Sequence, residues 1–147
     1  MGAVTYPNEA VGEIIRDNFI PVQINIVDRP EFTDRFLSRW TPTIIFIDPD
    51  GRDHRRQSGY TPPEHFVADL MMGMAQVAFN LKRYEEAITL YERVVDEFPN
   101  SFAAPEALYM VGVSRYRATD DGSNLDTYWD QVMERYPGSR WAFAGDI

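Results

Sequence analysis

Thr41-Pro42-Thr43-Ile44-Ile45-Phe46-Ile47-Asp48-Pro49-Asp50-Gly51 decides the fold of this 147-residue chain. Proline disfavours the helical region for the residue before it, so any helix approaching from upstream must end by Thr41. Ile44 to Ile47 is a continuous apolar run, the pattern of a strand covered on both faces. Asp48-Pro49-Asp50-Gly51 is turn chemistry, with Pro setting one backbone angle and Gly free to take a positive φ. The polar stretch His54 to Ser58 then reads as the second arm of a hairpin, near a sheet edge.

Upstream, Val11, Ile14, Ile15 and Phe19 fall on one helical face, so Pro7 to Phe19 predicts a helix entered at Pro7-Asn8. Val22, Ile24 and Ile26 alternate with Gln23 and Asn25 and predict a strand, ended by Asp28-Arg29-Pro30. Glu31 to Trp40 returns to helical spacing through Phe32, Phe36, Leu37 and Trp40. Downstream of Phe66 no segment alternates like a strand. A repeat is present instead: Tyr91, Val94, Phe98, Pro99 and Ser101 recur 38 residues later as Trp129, Val132, Tyr136, Pro137 and Ser139. A period of that length points to stacked helical hairpins.

The net charge of −9 lacks the clustered Lys and Arg of a nucleic-acid footprint, the one dense basic run being Arg52, Arg55 and Arg56. No apolar run reaches the roughly 18 to 20 residues a membrane span needs. The first residues carry no charged segment followed by an apolar one, so the expectation is a cytoplasmic protein. The cysteine count is zero, which removes disulfides, thiolate ligands and thiol nucleophiles together.

Helix, strand "IPVQINIVD", helix ending in Trp, "TPT", strand "IIFIDPDGR", strand ending "SGY" and helix "PPEHFVADL" together resemble a thioredoxin-like domain over about residues 1 to 75. The resemblance implies a cis bond before Pro42 and a Trp40-Thr41-Pro42 surface whose backbone meets an extended substrate. It also implies a Cys-x-x-Cys at the start of the helix that Met1 to Phe19 would finish, and this chain has none. "YEEAITLYERVVDEFPNS" and "APEALYMVGVSRYR" resemble the tetratricopeptide repeat. The first repeat's consensus places fall on Met71, Ala75, Ala87, Tyr91, Val94 and Pro99, the second's on Leu108, Gly112, Leu125, Trp129, Val132 and Pro137. Leu125 departs from the family's small residue, and Asp120 to Ser123 lengthens the second turn. That family's groove positions are here Met72, Gln76, Phe79 and Asn80, then Tyr109, Val113, Tyr116 and Arg117.

The expected architecture is α/β plus all-α. A partial thioredoxin-like sheet of three strands with helices on both faces (residues 1–75) is fused to a tetratricopeptide-like stack of two helical hairpins (66–147). One helix of about 62–81 is shared, and Trp141 and Phe143 cap the far end. Met71, Met72 and Met74 read as filler of the junction core.

The chemical candidates are weak. His54 and His65 lack the spacing of a metal site, Glu85-Glu86 and Asp96-Glu97 read as a solvated helix face, Ser58 and Ser101 lack a nucleophile elbow, and Gly51 and Gly59 make no phosphate loop. No catalytic residue, metal or cofactor is expected. The expected role is a non-catalytic protein-interaction module. Its candidate peptide-binding residues are Trp40, Thr41, Pro42, Gln76, Asn80, Tyr109, Tyr116 and Arg117. The alternative is the substrate-binding remainder of a thiol–disulfide oxidoreductase whose Cys-x-x-Cys lies upstream. In a complete sheet of this kind another strand lies between Val22–Ile26 and Ile44–Ile47, so the two edges facing that slot predict a homodimer or higher association.

Overall fold

A computed structural model describes residues 1–144. Helix α1 (Glu9–Asn18) starts at Asn8, whose side chain accepts a hydrogen bond from the Val11 amide at 3.3 Å. Asn is favoured there because it satisfies an amide the helix cannot. Helix α2 (Pro30–Phe36) has Pro in its first turn and ends at Leu37, which takes the left-handed conformation with φ 50. Strands β1 (Thr43–Ile47) and β2 (Asp53–Ser58) form an antiparallel hairpin pairing Thr43 with Ser58 and Phe46 with Arg55. The turn between them closes through the Gly51 amide on the Asp48 carbonyl at 2.8 Å, with Gly51 at φ 78. Gly59, just beyond β2, sits at φ 100, and the Thr41–Pro42 peptide is cis.

The rest is helical: α3 (Pro63–Asn80), α4 (Tyr84–Glu97), α5 (Ala104–Thr119), α6 (Ser123–Arg135) and α7 (Arg140–Ala144). The 38-residue sequence period reappears as backbone geometry. Helix α4 ends at Phe98 with φ −131 and ψ 51, and α6 ends at Tyr136 with φ −134 and ψ 54. The Phe98 amide reaches the Val94 carbonyl, and the Tyr136 amide reaches that of Val132. Tyr91, Val94 and Val132 are fully buried, as the shared spacing demands.

Helix α3 carries both halves. Its Phe66 and Leu70 pack with Val11 and Phe46 in a first cluster, and its Met71, Met72, Ala75 and Ala78 belong to the larger cluster with α4 and α5. Two glycines set the closest approaches. A Cβ on Gly73 would meet three Phe46 ring atoms at 2.2 to 2.5 Å, and one on Gly112 would meet the Tyr128 Cβ at 2.7 Å. Only a residue without a side chain lets β1 lie this close to α3, or α6 to α5.

Four sequence expectations are corrected. The sheet has two strands among the described residues, not three. Val22–Ile26 finds no ladder partner there; Val22 is 75 % exposed, and the segment folds into a turn in which Asn25 bonds the Val27 amide and Asp28. Alternation specifies a strand only where a neighbour supplies the other half of the hydrogen bonds. Helix α2 stops four residues before Trp40, because it buries no side chain and so gains nothing from continuing its apolar spacing. Strand β1 is well covered on one face only: Phe46 is buried under α1 and α3, whereas Ile47 is 49 % exposed. At the far end Trp141 packs on Tyr109 at 5.0 Å, but Phe143 is 71 % exposed because Ala142, between them, takes the inward position.

Candidate functional site

The predicted site residues divide between two surfaces. Trp40, Thr41 and Pro42 form the first, at the start of β1. The Trp40 carbonyl accepts from the Thr43 hydroxyl at 2.5 Å, and the Pro42 carbonyl accepts from the Gly59 amide at 2.8 Å, so the loop is pinned to both strands. The Trp40 side chain is 69 % exposed and Thr41 is exposed as well. The Pro42 carbonyl and the Asp48 amide both point toward β2. Since backbone groups alternate sides along a strand, those of Thr43, Ile45 and Ile47 point to the other edge. No strand pairs with that edge among the described residues. Large apolar side chains gather in this part of the chain: Ile20, Val22, Val27, Leu37, Trp40 and Ile47 are six of the thirteen that are exposed among the described residues.

The second surface is the face of α3 and α5, and here Gln76 and Asn80 already have partners inside the molecule. Gln76 donates to the Asn80 side-chain oxygen Oδ1 at 3.0 Å and accepts from the Tyr91 hydroxyl at 3.2 Å. The Asn80 amide lies 3.1 Å from His54 Nδ1 of β2. Met72 is fully buried. Tyr109 stacks on Trp129 at 5.3 Å and leans on Trp141, so it is packing rather than an open contact. Tyr116 is half-buried, and Arg117 is exposed with its guanidinium 3.5 Å from the Tyr84 hydroxyl. The structure therefore keeps Trp40, Thr41 and Pro42 together, pairs Gln76 with Asn80, and gives Tyr109 and Arg117 other partners, Trp129 and Trp141 for the first and Tyr84 for the second.

What the sequence reading missed is the polar cluster that joins β2 to the helices. Arg55 donates both terminal nitrogens to Glu106 of α5, at 2.6 and 2.8 Å, with the two side chains only 17 % and 20 % exposed. Gln57 donates to Asp69 of α3 at 2.6 Å and also contacts Thr61. The buried Thr5 hydroxyl donates to the Thr61 carbonyl at 2.8 Å, tying the first residues to the same place. The signals were a charged residue, Asp69, inside the apolar run from Phe66 to Met72, and Arg55-x-Gln57, the alternation that puts two polar side chains on one face of a strand. At the turn, buried Asp48 accepts from the Arg52 amide at 2.9 Å and lies 3.0 Å from His54 Nε2. These two contacts hold its carboxyl below the usual range.

Burial pushes the Asp69 carboxyl up, against the Gln57 hydrogen bond and the Arg55 charge that favour ionisation. A carboxylate whose pKa is raised by folding binds more protons in the folded state than in the unfolded one. Its contribution to stability therefore falls as pH rises through the window between the two values, and the ionised form is the costly one. Asp69→Asn removes that titration while keeping an oxygen for Gln57. The expected result is a difference in stability, variant minus wild type, that grows in the variant's favour as pH is raised from about 4 towards 7, read from urea midpoints across the series. A difference that does not change with pH would show that Asp69 ionises in the fold at no cost.

Among the described residues no group of three or more His, Asp or Glu is placed to hold a metal ion. An open cleft of about 590 Å³ lies between the end of α1, the end of β1, α3 and α4, floored by Phe19, Ile47, Met74, Val77 and Leu90. Arg83 and Arg93 on its rim are each paired within α4 or its first turn, with Glu86 and Glu97, which accounts for two of the acidic residues read as a solvated face.

Residues 3–71 match the family model of a thioredoxin-like domain, and residues 69–101 match that of a tetratricopeptide repeat. The two matches overlap within α3, the helix shared by both cores. No curated protein and no solved structure matches the chain.

Proposed function

We propose that this chain, a thioredoxin-like domain running into a tetratricopeptide repeat, is a non-catalytic protein-interaction module that takes an extended partner segment along β1 beside Trp40-Thr41-Pro42. The observation that carries the reading is a strand edge with no neighbour among the described residues, flanked by the exposed Trp40 and ending in the exposed Ile47, in a stretch (residues 20–47) that holds six of the exposed large apolar side chains. Exposed apolar surface of this kind marks interaction sites, and an unpaired edge offers a ladder of backbone donors and acceptors to an added strand. Trp40 would supply the aromatic anchor and Thr41 the start of the ladder, with Pro42, whose carbonyl is held by the Gly59 amide, fixing the direction in which the edge begins. A second copy of the chain is one possible donor of that strand. Tandem domains of these two kinds support protein partners in general.

A proline scan of β1 tests it. The Ile45 amide faces the open edge, so Ile45→Pro removes a donor the hairpin does not use, whereas Ile44→Pro removes one that bonds β2. Ile45→Pro is expected to keep the hairpin. Against a displayed library of extended peptides it is expected to lose binding as completely as Trp40→Ala does, and to sediment at the 17.0 kDa monomer mass even if the wild type self-associates. Peptide binding undiminished in both variants would overturn the reading. A second reading, the substrate-binding part of a thiol–disulfide oxidoreductase, draws on the match over residues 3–71. It needs a thiolate, and the sequence holds no cysteine, so the pure chain is expected to leave insulin disulfides intact.

A further inference from the structure

We propose that the paired face of α3 and α5 is a strand-reading groove that the chain's own β2 occupies as an intramolecular ligand, with Arg55 and Gln57 as the two side chains it reads. The inference is independent of the open edge of β1. Alternation along β2 turns Arg55 and Gln57 to the helices and leaves Arg56 and Ser58 exposed. The irregularity in the ladder at Phe46/Ile47 leaves His54 without a partner on β1, and His54 meets Asn80 of α3 instead. One short strand thus makes three side-chain contacts with the helical face: a two-pronged guanidinium–carboxylate pair with Glu106, an amide–carboxylate bond with Asp69, and the His54–Asn80 contact.

The way β2 is held distinguishes a ligand from a core strand. No apolar side chain of β2 enters the core and its one buried side chain, His54, is polar, whereas its neighbour β1 drives Phe46 into the apolar cluster. Contacts of β2 with the helices are polar, directional and specific to residue type. Polar contacts of this kind can be replaced one for one by the matching groups of another chain, which apolar interdigitation does not allow, so the contact has the character of one that can be exchanged. A partner reaching this face has to displace β2, and the chemistry that would compete is an extended segment with a guanidinium two residues before an amide, Arg-x-Gln, on one side.

The probe is a labelled peptide of residues 52–58, end-blocked, titrated by fluorescence anisotropy into the full chain. The double variant Arg55→Ala/Gln57→Ala removes two of the three contacts and so weakens the hold of β2 on the groove. It is expected to bind the peptide at least tenfold more tightly than the wild type, and adding Glu106→Gln is expected to cancel the gain. Hydrogen exchange supplies the second readout: amides of β2 should exchange faster in the double variant while those of α4 and α5 keep their protection. Unchanged exchange in β2 would overturn the proposal, and so would a released strand whose variant binds the peptide no better than the wild type. If the double variant loses α4 protection, Arg55→Lys takes its place. It keeps the charge and removes the fork, so it should show a smaller gain in the same direction; no gain there would also overturn the proposal.

Discussion

Gly73→Ala is expected to destabilise the protein by about 2 kcal/mol or more, although the same change in an exposed helix stabilises by up to about 1 kcal/mol. The new methyl would lie 2.2 to 2.5 Å from three atoms of the Phe46 ring. That ring cannot step aside easily: it is 6 % exposed and its centroid lies 5.7 Å from that of Phe19. Relief requires β1 to lift from α3, which opens the cluster of Val11, Phe66 and Leu70 beneath it. Urea unfolding should show the lowered midpoint, and Phe46→Leu added to Gly73→Ala should recover part of it. Gly12→Ala is the matched contrast. Its Cβ would meet only Arg16 Nη1 at 3.9 Å, so helix propensity decides and the midpoint should rise. If Gly73→Ala raises the midpoint as Gly12→Ala is expected to, the close approach of β1 to α3 is wrong.

Tyr91→Ala is expected to cost about 3 to 5 kcal/mol, the range for removing a buried aromatic ring. Tyr91 is fully buried in the larger cluster, where α3, α4 and α5 meet. Its hydroxyl has one partner, Gln76 Oε1 at 3.2 Å. Tyr91→Phe should therefore cost only about 0.5 to 1.5 kcal/mol, the worth of one ordinary hydrogen bond. Burial pushes the Tyr91 phenol up, reinforced by the negative charge of Glu106, so the ring stays neutral through the physiological range and the comparison is not confounded by titration. Chemical denaturation of the two variants separates packing from hydrogen bonding. A Phe variant as damaged as the Ala variant would mean that the hydroxyl, not the ring, holds the three helices together.

Sequence alone determined the elements that rest on local chemistry. Asn8 caps α1, Asp48 to Gly51 turns the hairpin, and the recurrence of Tyr91–Phe98–Ser101 at Trp129–Tyr136–Ser139 specifies two helix ends with the same backbone geometry. Those signals are legible because each residue acts on its own turn of chain. That Trp40, Thr41 and Pro42 lie together needs no tertiary structure, since they are consecutive; their reading as a binding surface came from the family resemblance and is a proposal. Only the tertiary structure decided the rest. Val22–Ile26 has the alternation of a strand, but a strand exists only if a neighbour pairs with it, and among the described residues none does. The helical spacing from Glu31 to Trp40 has no core to dock on, so α2 ends at Phe36. Gln76 and Asn80 sit where a repeat of this kind offers a groove, yet the hairpin lies on that face, and its grip comes from Arg55, Gln57, Asp69 and Glu106. Residues 55 and 106 are 51 apart in sequence. Nothing in either segment specifies the other, because a salt bridge between distant segments is a property of how they are folded together and leaves no spacing or period in the chain to read.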